Sequence, residues 1–120
     1  MGRIAIVDDS RADIQLIESF LRSAQHEVSA FQEVEDIEER LAELAPDLVL
    51  LDIVMPNRNG FEILRSLKKD QRTKSIPVVL VSTKKEPHDL AWGKRQGANG
   101  YLSKPFTSGE LLDEVGKFVF

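Results

Sequence analysis

One apolar run followed by a single acid constrains this chain more than any other feature. Leu48, Val49, Leu50 and Leu51 are consecutive, and Asp52 follows them directly. An uninterrupted run of this length is typical of a strand buried on both faces, as in a parallel sheet covered by helices. Asp52 would then lie at the carboxyl end of a central strand, which is the edge where open α/β sheets bind ligands. An acid after a strand is also common as a turn residue or helix cap, so this position alone leaves both interpretations open.

Strand-like and helix-like segments alternate along all 120 residues. Apolar stretches predict strands at residues 4–7, 28–31, 48–51, 77–81 and 101–103. Apolar residues at three- and four-residue spacing predict helices at about 10–24, 34–44, 61–69, 87–96 and 107–119. Five alternations predict an α/β fold, a three-layer, doubly wound sheet of five parallel strands. We expect one domain over residues 1–120 and no separate output domain.

The fourth predicted helix is the weakest of the five. Pro87 is acceptable at its first position, but Gly93 lies inside it and costs about 1 kcal/mol relative to alanine. Trp92, the one tryptophan of the chain, belongs to this helix. Trp92 is predicted either as a core residue or as an exposed anchor for a partner, and the sequence leaves both open.

Composition narrows the functional classes. The net charge of −4 and the lack of a basic stripe disfavour nucleic-acid binding. No apolar run approaches the roughly 20 residues that span a bilayer, and no secretory signal is visible, so we expect a cytoplasmic protein without a membrane partner. The sequence contains no cysteine, which excludes disulfides, thiolate metal ligands and cysteine nucleophiles. His26 and His88 show no metal-site spacing.

Polar side chains follow four of the predicted strands. Asp8 and Asp9 follow the first, Asp52 the third, Ser82 the fourth and Lys104 the fifth. Three crowded carboxylates require a cation or a proton to compensate their charge. Oxygen ligands without histidine or cysteine favour Mg²⁺, Mn²⁺ or Ca²⁺ over zinc. Mg²⁺ is our prediction, because a small octahedral ion that keeps several waters suits a site with few protein ligands.

The same groups suit phosphoryl transfer. A lysine and a hydroxyl can neutralise or donate to the oxygens of a phosphoryl group, and a carboxylate can be the nucleophile that forms an aspartyl phosphate. Asp52 is single and central, whereas Asp8 and Asp9 are adjacent and suit metal binding. Each residue also has a simpler interpretation, as a helix cap, a strand-end hydroxyl or a solvated lysine. Their coincidence at successive strand ends is what favours the chemistry.

In these motifs the sequence resembles the receiver domain of bacterial response regulators, the CheY-like family with a flavodoxin-like (βα)5 fold. The resemblance covers the whole chain and rests on short segments in a fixed order, at residues 7–10, 51–56, 59–60, 81–82, 97–98 and 104–106. It implies that Asp52 is the phosphoacceptor. It further implies that Asp9, Asp52 and the carbonyl of Val54 are Mg²⁺ ligands, with Asp8 acting through water.

The resemblance also assigns the groups that surround the phosphate. Ser82 matches the hydroxyl position, where a serine stands instead of the alternative threonine, Lys104 the phosphate-binding lysine and Tyr101 the switch aromatic. Val54 and Lys84 occupy variable positions that are expected to tune the phosphate lifetime. The Lys104–Pro105 peptide bond is predicted to be cis, as is typical of the family.

A receiver implies a histidine kinase as phosphodonor and a protein target on the face formed by helix four, strand five and helix five. Residues 91–98 are similar to the single-domain regulators of type IV pilus twitching systems, the PilH type, which predicts a role in chemotaxis-like or twitching motility. Such a protein is a phosphoacceptor with self-catalysed transfer and slow autodephosphorylation, not a conventional enzyme. The alternatives are a receiver that serves as a phosphate sink or relay, and an aspartyl-phosphate phosphatase. Phosphatases of that kind carry a second acid two residues after the nucleophile, where this chain has Val54.

Overall fold

A computed structural model describes residues 2–56 and 58–120 of the chain. Its strands are β1 (Arg3–Val7), β2 (Glu27–Phe31), β3 (Leu48–Leu51), β4 (Val78–Ser82) and β5 (Gly100–Ser103). Its helices are α1 (Arg11–Ser23), α2 (Ile37–Leu44), α3 (Gly60–Lys69), α4 (Pro87–Arg95) and α5 (Ser108–Gly116). The strands form one sheet in the order β2-β1-β3-β4-β5, and each neighbouring pair is parallel. The predicted five alternations are confirmed.

The sheet separates two hydrophobic cores because successive side chains of a strand point to opposite faces. Ile4 and Leu50 face one core, which is completed by apolar residues of α1 and α5. Ala5 and Leu51 face the other, which is completed by apolar residues of α2 and α3. All four residues of β3 are buried, as its unbroken apolar run predicts. The predicted three-layer architecture is confirmed by this arrangement.

Two predicted helices are three residues shorter at one end in the structure than in the sequence pattern. The predicted helix at 34–44 begins only at Ile37, because Asp36 before it has a left-handed backbone (φ 56°) that interrupts the helix. The predicted helix at 107–119 ends at Gly116, although Val119 beyond it is buried in the core shared with α1. Val34 and Val119 follow the helical spacing because they pack on the same core as the helix, not because they belong to it.

Four of the five strands, namely β1, β2, β4 and β5, differ by one residue from their predicted bounds. β1 and β2 each begin one residue earlier than predicted, where Arg3 lies opposite Glu27. β4 begins at Val78, since Pro77 has no N–H to donate to a ladder. The carbonyl of Pro77 nevertheless accepts a hydrogen bond from the N–H of Val49 at 3.0 Å.

The helix α4 is seated on the sheet through a glycine. Gly93 is the buried residue of this helix, and a Cβ placed there would lie 2.8 Å from Leu80 Cδ1. Trp92 is 44% exposed, and its ring packs edge-on against Phe61 of α3 with centroids 6.4 Å apart. The open question about Trp92 is therefore answered: it is a surface residue. No helix in the described parts of the chain is long and apolar enough to cross a membrane.

Candidate functional site

Asp52 follows β3 directly and is held by backbone contacts on both sides. Its N–H donates to the Val7 carbonyl at 2.9 Å, and its Oδ1 accepts from the N–H of Val54 at 3.2 Å. The residue is 6% exposed. The N-terminus of α3 packs against its backbone, since a Cβ on Gly60 would lie 2.4 Å from the Asp52 carbonyl oxygen. Asn59 caps that helix by accepting from the N–H of Phe61 at 2.8 Å.

The two acids after β1 lie in different environments. Asp8 is 2% exposed, and its Oδ1 accepts from the N–H of Ser10 at 2.9 Å. Asp9 is exposed. Ser10 caps α1, because its hydroxyl accepts from the N–H of Asp13 at 3.3 Å. The N-cap of α1 is therefore Ser10, and neither Asp8 nor Asp9 occupies that position.

The three predicted metal-binding carboxylates come together. Asp8, Asp9 and Asp52 each offer an oxygen, and these atoms all lie within 4.8 Å of one another. Burial of Asp52 raises its pKa to about 6; the charges of Asp8 and Asp9 act in the same direction, and the Val54 N–H and Lys104 oppose them. The donor set consists of hard oxygens alone, which fits a hard divalent cation such as Mg²⁺.

Lys104 reaches into the acidic cluster from the turn after β5. Its Nζ donates to Asp8 Oδ2 and to Asp13 Oδ2, both at 2.8 Å, and lies 3.9 Å from Asp52 Oδ2. Burial alone would lower the pKa of Lys104, but the hydrogen bonds to Asp13 and Asp8 outweigh it and raise that pKa, so the side chain stays charged. The Lys104–Pro105 bond is cis, as predicted.

Asp13 is a member of this cluster that the sequence reasoning missed. Asp13 lies in the first turn of α1, where an acid also interacts favourably with the helix dipole. Asp13 is the third residue after the N-cap Ser10, and this first-turn position lies close enough to the end of β1 for Lys104 to reach both Asp8 and Asp13. That spacing was the available signal, but nothing in the sequence pointed to Lys104 as its partner.

Ser82 and Tyr101 lie on neighbouring strands and meet at one loop residue. Ser82 ends β4 and is fully buried, and its hydroxyl accepts from the N–H of Lys84 at 3.2 Å. The Tyr101 hydroxyl donates to the carbonyl of Lys84. Burial and the charge of Asp89 raise the pKa of Tyr101, against a hydrogen bond with Ser82. Both predicted switch residues therefore contact the loop between β4 and α4.

Residues 4–116 match the response regulator receiver domain family. The chain belongs to this family. As a receiver domain it is a response regulator of phosphorelay signalling, and receiver domains bind Mg²⁺ at an acidic pocket. Such a domain implies a histidine kinase as phosphodonor and a downstream target.

Known proteins resemble this receiver over nearly its whole length. Protein PilH of Pseudomonas aeruginosa is 43% identical over 115 residues, which are 96% of this chain and 95% of PilH. Response regulator PleD of Caulobacter vibrioides is 38% identical over 114 residues, 95% of this chain but 25% of PleD. The structure of chemotaxis protein CheY4 of Vibrio cholerae superposes with a TM-score of 0.91 at 27% identity, covering 99% of each chain. The fold prediction and the family resemblance are thereby confirmed.

Proposed function

We propose that Asp52 is the carboxylate on which this receiver takes up a phosphoryl group. The observation that carries the proposal is its setting: a buried acid with a pKa raised to about 6, two further carboxylates within 4.8 Å and an ammonium 3.9 Å away. An Asp52 oxygen attacks phosphorus, an O–P bond forms, and the N–P bond of the kinase phosphohistidine breaks with its electron pair left on the imidazole.

The neighbouring residues divide into those that hold a cation and those that contact the phosphoryl group. Asp9, Asp52 and the Val54 carbonyl would hold Mg²⁺ directly, and Asp8 through water. Mg²⁺, when bound, would neutralise charge on the phosphoryl oxygens. The buried Lys104 ammonium pairs with a further phosphoryl oxygen, and its charge is secured by its acidic neighbours.

Output depends on the β4–α4 loop. A phosphoryl group adds charge and three acceptor oxygens beside β4. Ser82 rotates to donate a hydrogen bond to one of them, and this rotation ends the contact in which its hydroxyl accepts from the N–H of Lys84. The Lys84 carbonyl accepts from the Tyr101 hydroxyl, so the two switch residues are coupled through Lys84. Tyr101 then turns inward, and the face formed by α4, β5 and α5 changes for a protein target. The resemblance to PilH supports a role in pilus-driven or chemotaxis-like motility.

Phosphorylation with a small donor tests the acceptor. Wild type incubated with acetyl phosphate and Mg²⁺ should form an acyl phosphate that hydroxylamine cleaves. Asp52→Asn should form none, because the amide is not a nucleophile. Asp113→Asn, which removes an exposed acid of α5, is the matched control and should be modified like wild type. Labelling of Asp52→Asn at the wild-type rate would reject Asp52 as the acceptor.

A further inference from the structure

Lys104 has an acidic partner that the roles proposed above do not use. Its Nζ donates at 2.8 Å to Asp13 Oδ2 and at 2.8 Å to Asp8 Oδ2. Lys104 Nζ and Asp52 Oδ2 are 3.9 Å apart, so they form an ion pair but not a hydrogen bond. The ammonium is therefore hydrogen-bonded to two acids other than the proposed acceptor Asp52.

The two acids that hold Lys104 differ in how readily they can release it. The Asp8 side chain is 2% exposed, so losing the lysine would leave a buried charge without a partner. The Asp13 side chain is 39% exposed, and water can replace the ammonium there. When a third acidic group competes for Lys104, the contact to Asp13 is the one that breaks at lower cost.

We propose that Asp13 is a positioning residue that holds Lys104 in the resting state and competes with the phosphoryl group for it. This inference rests on the phosphoacceptor role proposed for Asp52. Each phosphorylation then exchanges the Lys104–Asp13 contact for a contact to a phosphoryl oxygen. The exchange offsets part of the attraction between lysine and phosphate, so Asp13 limits how strongly the phosphorylated state is favoured.

The position of Asp13 is set independently of Lys104. Its N–H is bound by the Ser10 hydroxyl at the N-terminus of α1, and that cap does not use the Asp13 side chain. Asp13→Asn therefore keeps the cap and the shape while removing the charge that holds the ammonium. Asp13→Glu keeps a carboxylate on the same turn. These two variants separate the loss of charge from damage to the helix.

Binding of beryllofluoride with Mg²⁺, a mimic of the phosphoryl group, tests the proposal. Asp13→Asn should bind it about two- to fivefold more tightly than wild type, the range for removing one half-exposed ion pair. Asp13→Glu should return toward the wild-type affinity. Glu62→Gln is the matched control, because Glu62 is an exposed first-turn acid of α3 beside Val54 and Lys84. It should not bind more tightly than wild type.

A second titration with Mg²⁺ alone identifies the origin of the gain. Asp13→Asn should bind Mg²⁺ no more tightly than wild type, since a freed Lys104 opposes the cation near Asp52. A purely structural effect of the substitution would not increase the affinity for beryllofluoride while leaving the affinity for Mg²⁺ unchanged. Equal beryllofluoride affinity in wild type and Asp13→Asn, or a parallel gain for Mg²⁺, would overturn the role of Asp13.

The contact itself can be observed without metal or phosphate. In the metal-free protein, NMR of the Lys104 ammonium should show slower proton exchange in wild type than in Asp13→Asn. Equal exchange, with beryllofluoride binding to wild type intact, would reject the proposal for Asp13 and leave the acceptor role of Asp52 standing. Failure of wild type to bind beryllofluoride would reject the acceptor role and the inference with it.

Discussion

At the scale of single residues, the burial of Asp52 lowers the stability of the folded protein when this acid is ionised. Its pKa is raised to about 6 from an ordinary 3.8, chiefly by burial. The folded protein therefore binds this proton more tightly than the unfolded chain, and the stability that the protonated acid contributes is lost as the pH rises through 6. A carboxylate whose ionised form is destabilised by burial is stabilised by a cation bound beside it.

Asp52→Asn should therefore stabilise the metal-free protein more at pH 7 than at pH 4.5. The difference between the two pH values should be about 2 kcal/mol in the free energy of unfolding, because between pH 3.8 and about 6 the unfolded acid ionises while the folded acid keeps its proton, and the amide has no such proton. Urea denaturation in the presence of a chelator measures it. Asp113→Asn, an exposed acid, is the control and should show no comparable difference. A benefit of Asp52→Asn that is the same at both pH values would show that burial does not raise this pKa.

At the scale of secondary-structure elements, the start of α3 fixes the backbone around the acceptor. Gly60 lies so close to the two residues that follow β3 that an added Cβ would be 2.4 Å from both the Asp52 carbonyl oxygen and Ile53 Cα. Both atoms belong to the backbone, so no rotamer change relieves the clash. The glycine at the start of α3 is required by this close approach.

Gly60→Ala should lower the free energy of unfolding by about 1–3 kcal/mol, the usual cost of overpacking a filled site. Gly116→Ala is the matched control: it lies at the end of α5, and a Cβ there meets no atom within 4 Å. Alanine at 116 should be neutral or slightly stabilising, because it favours the helix. Denaturation curves of the two variants would contradict the packing argument if Gly60→Ala were as stable as Gly116→Ala.

The other informative element is α4, which packs against the sheet through little apolar surface. Gly93 is its buried residue, and its neighbour Tyr101 is bound to the β4–α4 loop. A segment with few buried apolar contacts opens at low free energy and is easily biased by a ligand. The structure thus places the weakest helix next to the residues proposed as the switch.

A phosphoryl mimic should accordingly change amide hydrogen exchange over residues 82–105 more than in α1 and α2. The reason is that Ser82, Tyr101 and Lys104 all belong to that range. Exchange measured with and without beryllofluoride, and repeated with Asp52→Asn as the unresponsive control, checks it. Changes confined to α1 and α2 would contradict the proposed switch.

At the scale of the whole molecule, the candidate site lies at one edge of the sheet that separates the two hydrophobic cores. The acids that could hold a cation come from β1 and β3, and the lysine comes from the turn after β5. A ligand that bridges these ends binds the folded state and not the unfolded chain. Its binding free energy is therefore added to the stability of the entire domain.

Mg²⁺ should raise the melting temperature with increasing concentration, by the equivalent of about 2.7 kcal/mol at one hundred times the dissociation constant. Asp9→Ala should abolish the increase, because it removes an exposed carboxylate of the cluster without opening a core. Asp113→Ala should retain it. Equal responses of wild type and Asp9→Ala would reject Asp9 as a ligand.

The sequence by itself determined the features that depend on neighbouring residues. Apolar spacing identified the alternating elements, and the acid after the run Leu48–Leu51 identified the functional edge, because burial on both faces leaves a readable pattern within a few positions. The carboxyl ends of parallel strands meet at one edge whatever their order. Asp8, Asp9, Asp52 and Lys104 could therefore be brought together by reasoning alone.

Only the tertiary structure decided what depends on residues distant in the chain. The strand order β2-β1-β3-β4-β5 is a property of packing, and so is the surface position of Trp92. Val34 lies outside α2 because the helix begins only after the left-handed Asp36, although the apolar spacing starts earlier. Asp13 and Lys104 are 91 residues apart, and their hydrogen bond exists because the fold places the start of α1 against the turn after β5. Local sequence patterns indicate which residues are buried, but the fold of the whole chain determines which charged groups meet.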